Sequence, residues 1–146
     1  MKLYRPSSID FPEITAVWEA SVRATHTFLS EEDIAFFRPL ILNEYLKSVN
    51  LYCLKDEEGK ITAFMGIAEN NLEMLFIRPD QRGKGLGKYL VNHAISQLDI
   101  DSVDVNEQNE QAVGFYYKMG FEVVSRDETD GMGKPFPILH LRLKGI

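Results

Sequence analysis

Apolar positions recur along this chain with two periods, and the changes of period mark its elements. Ile14, Val17, Trp18 and Val22 fall at helical spacing behind Asp10 and Pro12, which predicts a first helix. Ser30-Glu-Glu-Asp33 supplies an N-cap and an acidic first turn for a second. That helix must bend or restart near Pro39 before it runs through Leu42, Tyr45 and Leu46. The period then drops to two. Leu51–Lys55 and Ile61–Glu69 read as strands joined by Asp56-Glu-Glu-Gly59, and Ile61, Ala63, Met65 and Ile67 alternate as in a half-buried strand. Asn70-Asn71 suits a tight hairpin, because Asn tolerates the left-handed region. Leu72–Arg78 follows as the next strand.

Helical spacing returns at Leu90, Val91, Ala94, Ile95 and Leu98. Ser102–Asn106 is a short strand. Ala112, Phe115, Tyr116 and Met119 then recur at i, i+3, i+4 and i+7, which predicts a helix over Asn109–Met119 with Asn109 as N-cap and Gly120 just past its end. Phe121–Asp127 and Ile138–Leu143 read as two closing strands, and Lys2–Arg5 as a short opening one. No repeat or linker divides the chain. The pattern predicts one α/β (α+β) domain over residues 1–146, with a mixed, mostly antiparallel sheet of about seven strands and helices on both faces.

Composition narrows the class. The chain has 146 residues, 45% apolar and 26% charged, which suits one globular domain with a core. The formal net charge of −6 argues against a general nucleic-acid binder. No apolar run is long enough to span a membrane, and the N-terminus lacks the apolar stretch of a signal peptide. The single cysteine, Cys53, excludes an internal disulfide and fits a reducing, cytoplasmic setting. It reads as a buried strand thiol. No Cys/His spacing suggests a metal site.

The most informative stretch is Phe76-Ile-Arg-Pro-Asp-Gln-Arg-Gly-Lys-Gly-Leu-Gly-Lys88. It reads as a strand end, a turn, a glycine-rich loop and a helix start. Backbone N–H groups at a helix N-terminus favour an anion, and glycines let a phosphate approach them. Gly83 to Lys88 is therefore a pyrophosphate cradle, with Arg82 and Lys84 as supplementary charges. A P-loop is excluded because Gly87-Lys88 is followed by Tyr89, not Ser or Thr. A dinucleotide fingerprint is excluded because Gly83, Gly85 and Gly87 are spaced Gly-x-Gly-x-Gly.

Arg82-x-x-Gly85-x-Gly87 after Ile77-Arg78-Pro79 resembles the acetyl-CoA loop of the GNAT (GCN5-related N-acetyltransferase) superfamily. Asn109, Ala112, Phe115-Tyr116 and Gly120-Phe121 match its second signature, and the element order is similar over nearly the whole chain. Val105-Asn-Glu-Gln-Asn109, Gly133–Pro137 and Arg23–Leu29 resemble the bacterial YjaB-type branch. The resemblance implies direct transfer of an acetyl group from acetyl-CoA to a primary amine, small or protein-borne, in a ternary complex and without a metal. It implies that the pyrophosphate rests on Arg82, Gly83, Lys84, Gly85, Leu86, Gly87 and Lys88. The pantetheine arm would pair with Phe76, Ile77 and Arg78 and meet Asn106 and Asn109. A backbone N–H near Phe76 or Ile77 would face the thioester oxygen, and Tyr116 would protonate the departing thiolate. Glu73 is a candidate base. His26 and Phe28 are candidate acceptor contacts in a partly aromatic cleft with Trp18, Phe136 and His140. A monomer and a homodimer both remain open. A non-catalytic acyl-CoA sensor would need the cradle but not Tyr116, so that tyrosine favours the enzyme.

Overall fold

A computed structural model describes residues 1–145. Helices α1 (Phe11–Thr25) and α2 (Glu31–Leu40) precede three strands, β1 (Asn50–Lys55), β2 (Ile61–Ala68) and β3 (Asn71–Ile77). Then come α3 (Leu86–Gln97), β4 (Ser102–Asn106), α4 (Glu110–Lys118), β5 (Phe121–Asp127) and β6 (Ile138–Leu143). The sheet runs β1-β2-β3-β4-β6-β5. Every pairing is antiparallel except β3 with β4. Helices α1 and α2 bury Ile14, Val17, Trp18 and Ile34 against Phe64 and Leu51 on one face. Helices α3 and α4 bury Leu90, Val91, Ala94 and Tyr116 against Met65, Val103 and Leu141 on the other.

Among the described residues the sheet has six strands rather than about seven. Lys2–Arg5 contributes only a two-way bridge, Tyr4 with Cys53 at 2.9 Å in each direction. The next hydrogen-bonded position, opposite Leu51, falls on Pro6, which has no N–H. The Arg5 side chain takes over, with Nε donating to Leu51 O at 2.8 Å. Strand β2 is also not half-buried. Helices cover both of its faces, so Ile61–Ile67 are all buried despite their alternating pattern. Cys53 is fully buried, as expected.

Ser30 caps α2 by accepting from the Asp33 N–H at 3.1 Å, and Asp33 accepts in return from the Ser30 N–H at 2.9 Å. Pro39 does not stop this helix. The chain passes it and widens into a π turn over Ile41–Tyr45, then tightens into a 3₁₀ turn over Leu46–Ser48. A proline removes one N–H from the ladder, and the wider turn follows directly after it. In the β2–β3 hairpin the left-handed residue is Glu69, at φ 55°, and Asn71 already belongs to β3.

The feature that matters for function lies in β3. Gly66 is opposite Met74, but Ile67 is opposite Leu72, so Glu73 is an extra, bulged residue. On the other edge of β3 the ladder to β4 holds only Asn71 with Ser102 and Leu72 with Val103. Beyond that point the two strands part. Among the described residues no helix is long and apolar enough to cross a membrane.

Gly66 faces the bulge on the β2 side, and a Cβ there would lie 2.7 Å from Val49 Cγ2 and 3.2 Å from its Cβ. Gly66→Ala should cost about 1–3 kcal/mol of stability through this overpacking. Urea denaturation checks it; an unchanged midpoint would mean that Val49 yields freely.

Candidate active site

The parting of β3 from β4 opens a cleft of about 340 Å³. Its floor is the end of β3, one end is the glycine loop and the start of α3, and its walls are α4 and the end of α1. A connected recess of about 220 Å³ runs between the two strands past Glu73, Asp104 and Asn106. His26, Phe76, Asn109 and Tyr116 line both.

Strand alternation decides which backbone groups face this space. The Arg78 N–H donates to Thr62 O at 2.8 Å, on the β2 side. Phe76 pairs with Phe64 in the same register, so its amide also turns to β2, while Leu75 and Ile77 turn theirs to the gap. Ile77 is thus the amide of the expected set that faces the gap. Leu75 was missed, because the direction of an amide depends on strand register. The structure does not bring Arg78 into the cleft. Its guanidinium binds Asp80 at 2.7 and 3.1 Å.

At the loop, Gly83 and Gly85 both have φ near +80°, and no neighbouring atom would touch a Cβ on either. They are needed for conformation, because an L side chain is strained there. Gly87 is needed for space: a Cβ would lie 3.1 Å from Ile77 Cδ1. Gly85 precedes α3 with no side-chain cap, so the first-turn amides at Leu86, Gly87 and Lys88 remain available at the positive end of the helix. Arg82 reaches across to the Gln111 side chain on α4, a partner the sequence did not reveal. Lys84 lies over Gln81 Oε1 at 3.2 Å and is not on the cleft wall. A free strand edge leading to an uncapped helix N-terminus fits a pantetheine arm ending in a pyrophosphate.

Tyr116 is 4% exposed, wedged edge-on between Phe115 and Phe121. Burial pushes its phenol well above the usual tyrosine range, so it stays protonated. Its hydroxyl has no protein partner among the described residues, yet it is not sealed from the cleft. Tyr117 is 49% exposed and points outward. Asn109 caps α4, its Oδ1 accepting from the Ala112 N–H at 3.3 Å, and also lines the cleft. Asn106 Oδ1 accepts from the Gln108 N–H at 3.0 Å.

The acetyltransferase (GNAT) domain family matches residues 26–136. The chain belongs to this family. It is 44% identical over 133 residues to the peptidyl-lysine N-acetyltransferase YjaB of Escherichia coli strain K12, covering 91% of this chain and 90% of that protein. The solution structure of apo YjaB from Escherichia coli matches with a TM-score of 0.89 at 41% identity, over 99% of this chain and 98% of that one. The PaiA N-acetyltransferase of Thermoplasma acidophilum, crystallised with coenzyme A, shares the fold at a TM-score of 0.72 and 24% identity, over 97% and 98% of the two chains. This GNAT chain is thus an N-acetyltransferase.

The acceptor-side residues are distributed differently from the sequence expectation. Trp18 is 4% exposed within the α1 core and does not line the cleft. His26 packs at 5.2 Å and a 45° tilt on Phe28, which packs at 5.8 Å on Phe136. This aromatic wall includes Phe37 but not His140. His140 lies on the open face of β6, with Nδ1 2.7 Å from Asp104 on β4 and Nε2 2.7 Å from Asp127 on β5. Carboxylates only accept, so this geometry favours a proton on both ring nitrogens, the imidazolium form. Asp127 first, then Asp104, raise its pKa against the effect of burial. Asn71 Nδ2 ties Asp104 to Glu73, 3.1 Å from each, at the fork where the strands part. Glu73 is exposed at the mouth of the recess.

Because the folded pKa of His140 is raised, its contribution to stability is complete below about pH 6.5. It fades as pH rises through the higher folded value. The stability difference between the native protein and His140→Gln should therefore shrink as urea denaturation is repeated from about pH 6 to pH 9. A constant difference over that range would mean that the ion pairs carry no such linkage.

Proposed function

We propose that this N-acetyltransferase transfers the acetyl group of acetyl-CoA directly to the side-chain amine of a protein lysine. The observation that carries this reading is the fork in the sheet, which leaves the Leu75 and Ile77 amides free directly behind the glycine loop, with Tyr116 on the opposite wall. The lysine acceptor is supported by the peptidyl-lysine activity named for the YjaB relative above. When bound, acetyl-CoA supplies an activated acyl group as a thioester. The first-turn amides of α3 hold its pyrophosphate, with Arg82 adding charge. The free edge of β3 pairs with its pantetheine arm, and Asn109 and Asn106 face that arm from the α4 side. The Ile77 N–H stabilises the negative charge that grows on the carbonyl oxygen during attack.

Direct transfer is supported by the lack of a cysteine among the described residues that line the cleft. Cys53 is buried in β1, and desolvation pushes its thiol up to about 11. Tyr116 donates its proton to the departing sulfur. Its raised pKa keeps that proton in place across the working range, and its unpartnered hydroxyl leaves it free to be given. Glu73, at the mouth, draws the acceptor's excess proton through water. Asn71 fixes its carboxylate. Phe28 backs the acceptor wall through His26.

Tyr116→Phe should retain acetyl-CoA affinity by calorimetry and lose about 10²- to 10⁴-fold in turnover. Turnover equal to the native protein would remove Tyr116 as the acid. Gly85→Glu should abolish acetyl-CoA binding, because it forces φ +80° on a side chain and sets a carboxylate beside the phosphate site. Gly85→Asn, which tolerates that conformation, should keep measurable binding. Equal affinity in both would place the pyrophosphate elsewhere.

A further inference from the structure

His26 terminates α1 and is held at several points. Its N–H donates to Val22 O at 2.7 Å, and its carbonyl accepts from the Leu29 N–H at 2.9 Å. Its Nδ1 is 2.8 Å from Thr25 Oγ1. That hydroxyl has one hydrogen, and it is directed at Ser21 O, 2.8 Å away and four residues back in the helix. The Thr25 oxygen can then only accept, so the proton between it and the imidazole belongs to His26 Nδ1. A neutral ring protonated at Nδ1 has a bare Nε2. That nitrogen has no protein partner among the described residues, and it is not sealed from the cleft. The ring lines both the main cleft and the recess, on the wall opposite Tyr116.

We infer that His26, neutral and protonated at Nδ1, orients the acceptor: its bare Nε2 accepts an N–H from the incoming amine and turns the nitrogen lone pair toward the acyl carbon. The inference rests on the transferase reading above and names a specificity residue within it. During transfer the carbon–nitrogen bond forms as the carbon–sulfur bond breaks. A free-base amine gives up one proton and the sulfur gains one, so the imidazole holds the same protons before and after. Burial agrees with this neutral role, holding the His26 pKa down to about 4. The titratable groups that share its space are Glu73 on β3, Asp104 on β4, Tyr116 on α4, and Arg82 and Lys88 at the far end.

Three readouts test this. Two-dimensional ¹⁵N spectra of the free protein should show His26 protonated at Nδ1 and bare at Nε2 down to about pH 5; the opposite tautomer would overturn the inference. With an N-terminally blocked single-lysine peptide as acceptor, His26→Leu should lower kcat/KM roughly 10- to 100-fold, the effect of leaving a buried N–H unpaired. His26→Gln, which keeps an acceptor atom, should recover most of that loss. Both variants should bind acetyl-CoA within about threefold of the native protein, since the lost contact is to the amine. Equal activity in all three proteins would mean that His26 does not touch the acceptor. A step in the native pH–rate profile near pH 6–7 that disappears in His26→Gln would make it a titrating base instead. Absence of acetyl-CoA binding to the native protein would fail the transferase reading itself, and the tautomer result would stand apart from it.

Discussion

One extra residue in β3 organises this molecule. Glu73 is bulged against Gly66 of β2, and the ladder to β4 ends one residue before it. A bulge bends its strand and strengthens the local twist. Here the bend carries the rest of β3 away from a β4 that is fixed on its other side to β6 along its whole length. The sheet is therefore two half-sheets joined by two residue pairs. Backbone amides that would ordinarily be paired are left facing a cleft, and a strand-like ligand arm can satisfy them. The glycine loop lies at the end of the same strand, so the fork and the anion cradle are set by one piece of backbone.

Polar groups beside the fork and inside the cleft differ in how completely they are paired. On the open face beside it, side chains pair with one another: His140 with Asp104 and Asp127, and Asn71 with Asp104, Glu73 and Ser102. These contacts tie β3, β4, β6 and β5 together where backbone pairing is weakest. Inside the cleft three kinds of polar group have no protein partner among the described residues: Tyr116 Oη, His26 Nε2 and the first-turn amides of α3. Unmade hydrogen bonds beside a cavity are costly to a fold unless a ligand completes them. Burial also keeps both side chains neutral, raising the tyrosine pKa and lowering that of the histidine. A neutral donor and a neutral acceptor on facing walls suit a reaction that shifts protons between its own reactants.

Much of this was legible before the structure. The helices and the closing strands follow directly from apolar spacing. Asn109 and Gly120 mark the ends of α4 as their side chains and backbone require, with Gly120 at φ 100°. Other features were not. Lys2–Arg5 has a strand's composition, but Pro6 removes the donor that a ladder needs, and only register against Leu51 reveals it. Trp18 resembles a cleft residue in composition, yet the rotation of α1 buries it. Arg78 adjoins the glycine loop in sequence, but strand alternation turns its amide to Thr62. Gln111 and Leu75 carry no motif and enter the site only through packing.

The sequence by itself determined the main helices and strands, the glycine-rich loop between β3 and α3, and the placing of Tyr116 on the apolar stripe of α4. These are local properties, fixed by the spacing of side chains and by the absence of a Cβ. The tertiary structure alone decided where β3 leaves β4, which amides face the opening, and which nitrogen of His26 is bare. Each of those depends on the register of a neighbouring strand or on a hydrogen bond made by a third residue, and register and bonding exist only once the chain has folded.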